Sequence, residues 1–181
     1  MARPVKIVFI HGNGGATAHD AWIPEVAADL RAHGLEVIAE TFPDNYKSRA
    51  SHWLPHIEAL GADEQTILIG HSSGALAAMR YAQTHDILGS VLIGAAHTDL
   101  GDANEKASGY FDQPWQWDAI REHQQWIIQF ASTDDPYIPV DEQEFVRDNL
   151  HTQYHQFHNR GHFLNNSFPE LTQAILEKTQ A

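Results

Sequence analysis

The stretch Thr66-Ile67-Leu68-Ile69-Gly70-His71-Ser72-Ser73-Gly74-Ala75-Leu76-Ala77-Ala78-Met79 decides how this chain is read. It opens as a short β-branched and aliphatic run, the pattern of a buried strand. Its second half, continued by Arg80-Tyr81-Ala82-Gln83-Thr84, has high helix propensity and few charges, so it reads as a mostly buried helix. A strand that turns at once into a helix crowds the positions two before and two after the turn residue, and glycine avoids that clash. Ser72 has glycine at both offsets, whereas Ser73 has His71 and Ala75 there. Ser72 is therefore the candidate nucleophile of a G-x-S-x-G turn, in the strand–turn–helix context that gives the pattern meaning. Strain at such a turn pushes the hydroxyl clear of the backbone. A glycine-rich turn without chemistry is the plainer alternative, but that turn has no need of serine.

Working outward, similar runs recur at 6–10, 35–39, 90–94 and 126–130, with a weaker one at 154–158. Between them lie segments of helical period. Trp22, Val26, Ala27 and Leu30 share a stripe stopped by Gly34, and Trp53, Ile57 and Leu60 share one stopped by Gly61. Pro55 lies inside the second stripe, so that helix is expected to start there or to kink. Val140–Leu150 and Ser167–Lys178 are the last two. Strands alternating with helices, several of them apolar throughout, predict an α/β fold. The expectation is one doubly wound, mostly parallel sheet of about six strands, with helices on both faces, in a single domain over residues 1–181.

A serine hydroxyl needs a base to take its proton, and the base needs a carboxylate to fix its tautomer. Of thirteen histidines, His162 in Arg160-Gly161-His162-Phe163 follows the last strand and comes to the same sheet edge as Ser72. His71 is expected to point away from the neighbouring hydroxyl, and His11 to shape its loop. Thr133-Asp134-Asp135-Pro136 follows the fifth strand. Pro136 biases Asp135 toward an extended backbone, so Asp135 is the candidate acid and Asp134 is expected to hold the turn. The oxyanion needs two backbone N–H donors. Ser73 supplies one, and the turn His11-Gly12-Asn13-Gly14-Gly15 the other, through Asn13 or Gly14. That turn lacks the Lys-Ser/Thr of a phosphate-binding loop and misses the G-x-G-x-x-G spacing.

Residues 97–118 break the alternation, with Gly101, Gly109, Pro114 and the aromatics Tyr110, Phe111, Trp115 and Trp117. Connections this long are usually functional or disordered, and the rings argue against disorder. The segment follows a strand, so it is expected at the carboxyl edge of the sheet as a small lid, with Phe111, Trp115 and Trp117 binding substrate. A packing loop over the helices is the alternative.

With these residues in place, the chain resembles the small serine hydrolases of the retinoblastoma-binding protein 9 family, within the α/β-hydrolase superfamily. The resemblance runs from end to end. It includes Gly12-Asn13-Gly14-Gly15, Trp53-Leu54-Pro55, Gly70-His71-Ser72-Ser73-Gly74-Ala75, residues 99–111 with Pro114-Trp115-Gln116-Trp117, residues 132–136 and Gly161-His162-Phe163. It implies a compact sheet with a small lid, a Ser72–Asp135–His162 triad and cleavage of an ester, amide or peptide acyl bond, with no cofactor. The order Ser, acid, His along the chain is that of the superfamily. The family's retinoblastoma-pocket motif is L-x-C-x-E, and here Leu60-Gly61-Ala62-Asp63-Glu64 has alanine in place of cysteine, so pocket binding is not expected.

Composition bounds the rest. The chain has 181 residues, 24 Asp+Glu against 11 Lys+Arg, a formal charge of −13 and no cysteine. Such a surface repels phosphate backbones and anionic lipid, so no nucleic-acid or membrane partner is expected. Thiolate chemistry is excluded. The first apolar run is too short for a signal peptide, and a cytoplasmic location is expected. His151, His155, His158 and His162 would share a face on a helix, as zinc ligands do, but a strand there separates them, so no metal site is expected. The rival to an enzyme acting on a small-molecule or peptide substrate is a non-catalytic protein-binding module that keeps the hydrolase fold.

Overall fold

The sheet explains why so many runs are apolar on both faces. The computed structural model describes residues 4–180. Six parallel strands, β1 (Lys6–Ile10), β2 (Glu36–Ile38), β3 (Thr66–His71), β4 (Gly89–Ile93), β5 (Trp126–Ser132) and β6 (Gln153–Phe157), lie in the order β2-β1-β3-β4-β5-β6. The helices are α1 (Ile23–Ala32), α2 (Ala50–Ala59), α3 (Ser73–Ala82), α4 (Ala103–Ala107), α5 (Trp117–Glu122), α6 (Val140–Leu150) and α7 (Pro169–Thr179). Alternate strand residues feed two cores. Ile7, Phe9, Ile67, Ile69, Val91, Ile93, Ile128 and Phe130 pack with α1 and α7. Val8, Ile10, Leu68, Leu92 and Ile127 pack with α2, α3, α5 and α6 on the other face. The sheet is thus covered on both sides, as a parallel sheet requires.

From β1 the chain steps outward to β2, then back across to β3 on the other side of β1. The switch point between β1 and β3 opens a crevice at the carboxyl ends of these strands, where open α/β sheets hold ligands. Ser72 and the turn after β1 lie there. A Cβ added to Gly12 would stand 3.6 Å from the Ser72 Cβ.

The expected elements form, with two differences. Pro55 lies within α2, which begins at Ala50. The 97–118 segment holds the short helix α4 and the first two residues of α5 and is not an open loop. Its anchor is Arg80, the one charged residue of the buried helix α3. Its guanidinium donates to the Tyr110 and Gln113 carbonyls, with Nε 2.8 Å from Tyr110 O, and stacks 3.7 Å over the Trp115 ring. The hydrogen bonds compensate the burial of that charge.

Candidate active site

The turn from β3 to α3 is as tight as its glycines require. Ser72 has φ 57° and ψ −115°, a strained backbone for a residue with a side chain. A Cβ on Gly70 would meet Gly74 O at 2.2 Å, and one on Gly74 would meet Ile10 O at 2.0 Å. The crowding anticipated between the two positions is there, and β1 adds to it. The Ser72 N–H is fixed to Ile93 O at 2.9 Å.

Asp135 follows β5 with its side chain fully buried. Its Oδ1 accepts from the Tyr137 and Ile138 N–H groups at 2.9 and 3.0 Å, and its Oδ2 lies 2.8 Å from His162 Nδ1. The two amides hold the carboxylate and the other oxygen faces the ring. Asp134 points elsewhere: its Oδ1 accepts from Ser132 Oγ at 2.6 Å and from Gly161 N–H at 2.9 Å. These bonds, the Ser132 one foremost, hold its carboxyl below the usual range. Asp134 therefore pins the loop that carries His162, the part the sequence suggested for it.

That loop is held on further sides. His71 Nε2–H donates to His162 O at 2.7 Å, and Phe163 O accepts from Trp22 Nε1–H at 2.9 Å. Phe163, at φ 56°, buries its ring against Phe168. Burial, with His162 beside it, pushes His71 down to about 4, so it stays neutral and keeps that donor. His11 is locked as well. Its Nδ1 donates to Gly12 O at 2.8 Å and its Nε2 accepts from Phe42 N–H at 2.8 Å, which fixes one neutral tautomer. Burial lowers its pKa too.

Ser72, His162 and Asn13 line one cavity of about 650 Å³. The Ser72 hydroxyl makes no hydrogen bond among the described residues. In the turn after β1, Gly14 N–H donates to Tyr46 O at 3.0 Å and Gly15 N–H to Asn45 O at 3.1 Å. The Asn13 N–H has no acceptor among the described residues. Ser73, as the first residue of α3, has an N–H without a helical partner. Of the two donors left open for the turn, Gly14 is engaged and Asn13 is free.

The structure does not bring Phe111, Trp115 or Trp117 to this cavity. All three pack against the α3-side core, Trp115 donates to His97 O at 2.8 Å, and Trp115 and Trp117 stack 5.6 Å apart. The rings anchor the segment to the helices because Arg80 draws it there. The cavity instead takes Tyr46, Leu100, Tyr137 and Leu164, four of the five large apolar side chains exposed among the described residues. They come from four separate loops, so no periodicity signals them. Asp20, Asp99, Asp102 and Glu105 also line the cavity, and among the described residues no Lys or Arg does. Gly94 was missed as well. At φ 62° it ends β4 beneath the pair, where a Cβ would lie 3.3 Å from His162 Cε1 and 3.6 Å from Asp135 Oδ2.

The other histidines are dispersed. His155 stacks on Phe130 5.0 Å away, His158 Nδ1 bonds Thr133 Oγ1 at 3.0 Å, and His151 caps α6 in a left-handed conformation. Among the described residues, no group of three or more His, Asp or Glu side chains is placed to hold a metal ion. No helix among them is long and apolar enough to cross a membrane.

Residues 7–115 match the model of the alpha/beta hydrolase family. The chain is 48% identical to serine hydrolase RBBP9 of Rattus norvegicus, over 97% of this chain and 96% of that one. Among solved structures it is similar to the ydeN gene product from B. subtilis, with a TM-score of 0.89 at 20% identity over 98% of this chain and all of the other. It is also similar to Est1E from Butyrivibrio proteoclasticus, described with ferulic acid bound, with a TM-score of 0.76 at 14% identity over 98% and 90% of the two chains. At such identities the solved structures speak for the fold.

Proposed function

The chain belongs to the alpha/beta hydrolase family, and from that premise we propose that it is a serine hydrolase whose triad is Ser72, Asp135 and His162. The observation that carries the reading is the 2.8 Å pair of His162 with a fully buried Asp135, at the same cavity as the strained Ser72 turn. With its Nδ1 proton donated to Asp135, the His162 ring leaves Nε2 as the acceptor for the Ser72 proton. The Ser72 oxygen attacks the substrate carbonyl, and the resulting oxyanion is held by the Asn13 and Ser73 N–H groups. His162 then gives its proton to the leaving group, which departs and leaves an acyl group on Ser72. Water, deprotonated by His162, releases the acid and restores the serine. The hydrogen bond from Ser72 to His162 belongs to the substrate complex, since catalytic bonds often tighten only there.

The substrate is a small molecule or peptide with an ester or amide carbonyl. Tyr46, Leu100, Tyr137 and Leu164 offer apolar surface around the nucleophile, and the four carboxylates disfavour substrates that carry their own. The experiment is a panel of p-nitrophenyl esters and aminoacyl arylamides, run with the protein and with Ser72→Ala. Turnover that disappears in the variant supports the triad. Equal turnover in both removes Ser72 as the nucleophile, and none in the wild type across the panel sets the reading aside in favour of a binding module.

A further inference from the structure

Glu105 stands where the segment after β4 crosses the turn after β1. It is the third residue of α4, whose start is capped by Asp102, with Oδ1 accepting from the Asn104 and Glu105 N–H groups at 2.8 and 3.0 Å. Ser108 Oγ returns to Glu105 O, and Ser108 O accepts from Ala50 N–H at 2.8 Å, which ties α4 to α2. The backbone of Glu105 is therefore fixed without help from its side chain. That side chain reaches across the cavity edge, where Oε1 accepts from Asn13 Nδ2 at 2.7 Å. It also borders a small recess of about 20 Å³ beside Ser72 and Ser73.

The turn after β1 is held from one side by Tyr46 and Asn45, which take the Gly14 and Gly15 N–H groups. His11 Nδ1–H holds Gly12 O, the carbonyl of the same peptide unit as the Asn13 N–H, and Ala16 N–H donates to Asn13 O at 3.3 Å. The restraint that reaches Asn13 from outside the turn, through its side chain, is the bond to Glu105. Asn13 thus has two parts: its backbone N–H is the free donor assigned to the oxyanion, and its side chain is the handle that aims it. We infer that Glu105 is a positioning residue that fixes the Asn13 peptide for the oxyanion, so that the 99–111 segment serves the chemical step through this turn. The inference rests on the triad reading above.

Burial raises the Glu105 carboxyl above the ordinary range, and the Asn13 bond opposes that shift. Oε1 accepts from Asn13 in either protonation state, so the bond requires an oxygen and not a charge. Glutamine at this position is expected to replace it. A direct grip on substrate would behave otherwise, since it would show in KM.

The test uses the full chain and p-nitrophenyl acetate. Losing an oxyanion donor outright costs 10²–10³ in kcat in known cases, so loosening one is expected to cost about 10- to 50-fold. Glu105→Ala and Asn13→Ala should each lower kcat by that factor with KM changed less than about threefold, because Asn13→Ala keeps the N–H and loses only the handle. The double variant should be no worse than either single one, and Glu105→Gln should return to within about threefold of the wild type. Losses that multiply in the double variant would overturn the inference. So would an effect confined to KM, or a Glu105→Gln variant as poor as Glu105→Ala. If Glu105→Ala fails to melt cooperatively, Asn13→Ala, which lies in a loop, decides alone: unchanged kcat there refutes the clamp. Wild-type turnover that survives Ser72→Ala would instead remove the triad reading beneath it.

Discussion

Replacing Asp135 by Asn changes one oxygen to an NH2 group, and the structure dictates which. Asp135 Oδ1 accepts from the Tyr137 and Ile138 N–H groups, and Oδ2 faces His162 Nδ1. If the carboxamide kept its NH2 toward the two amides, donors would face a donor, at a cost of about 1–3 kcal/mol for the partly buried Ile138 amide alone. The oxygen therefore stays with the amides and the NH2 group donates to His162 Nδ1. The imidazole proton is forced onto Nε2, the nitrogen that must receive the Ser72 proton. The geometry survives and the tautomer is wrong, a change expected to cost about 10⁴-fold in kcat, or about 5.5 kcal/mol of barrier. The assay is ester turnover beside circular dichroism and thermal melting, with Asp134→Asn as the comparison. An amide oxygen at 134 takes over the bonds from Ser132 and Gly161, so that loss should stay within about tenfold. A folded Asp135→Asn protein with kcat within tenfold of the wild type would refute the argument, as would a larger loss at Asp134.

Tyr137→Ala or Leu164→Ala should alter relative kcat/KM across acyl and leaving-group sizes by about 3- to 30-fold, because both side chains line the cavity. Trp115→Ala should lower the melting temperature, by loss of the Arg80 stacking and the bond to His97 O, with the substrate profile unchanged; the opposite pattern would return substrate binding to the 97–118 rings. Stability should fall as the pH drops from 6.5 toward 4. Over that window the unfolded chain protonates His71 while the folded chain, held near 4, does not, which amounts to at most about 3 kcal/mol. His11, also lowered by burial, acts in the same direction. Urea unfolding at pH 7 and pH 4.5 measures the slope, which His71→Gln should flatten; an unchanged slope in that variant would assign the effect elsewhere.

The turn at Ser72 was legible because its cause is local: two glycines at fixed offsets answer a clash that the backbone creates wherever a strand meets a helix so abruptly. The strands were legible because both faces of the sheet are covered, so their runs are apolar throughout. Asp135 and Asp134 were separable through Pro136, a local constraint again. The 97–118 aromatics misled for a physical reason. Composition says that rings seek cover, but not which cover, and here a buried guanidinium on α3 decides it. Arg80 was the signal available, a lone charge in a helix otherwise made for burial. Gly94, Glu105 and the cavity rim were beyond reach, since each owes its part to loops that meet only through the sheet topology.

The central claim is that Ser72 carries the acyl group, and the most direct measurement is to find the adduct. The protein is incubated with a fluorophosphonate, digested, and the modified peptide fragmented by tandem mass spectrometry, which distinguishes adjacent serines. One stoichiometric adduct on Ser72, absent from Ser72→Ala and greatly slowed in Asp135→Asn, is the expected result. An adduct on Ser73 or on another hydroxyl, or labelling of Ser72 that proceeds equally well without Asp135, would contradict the account.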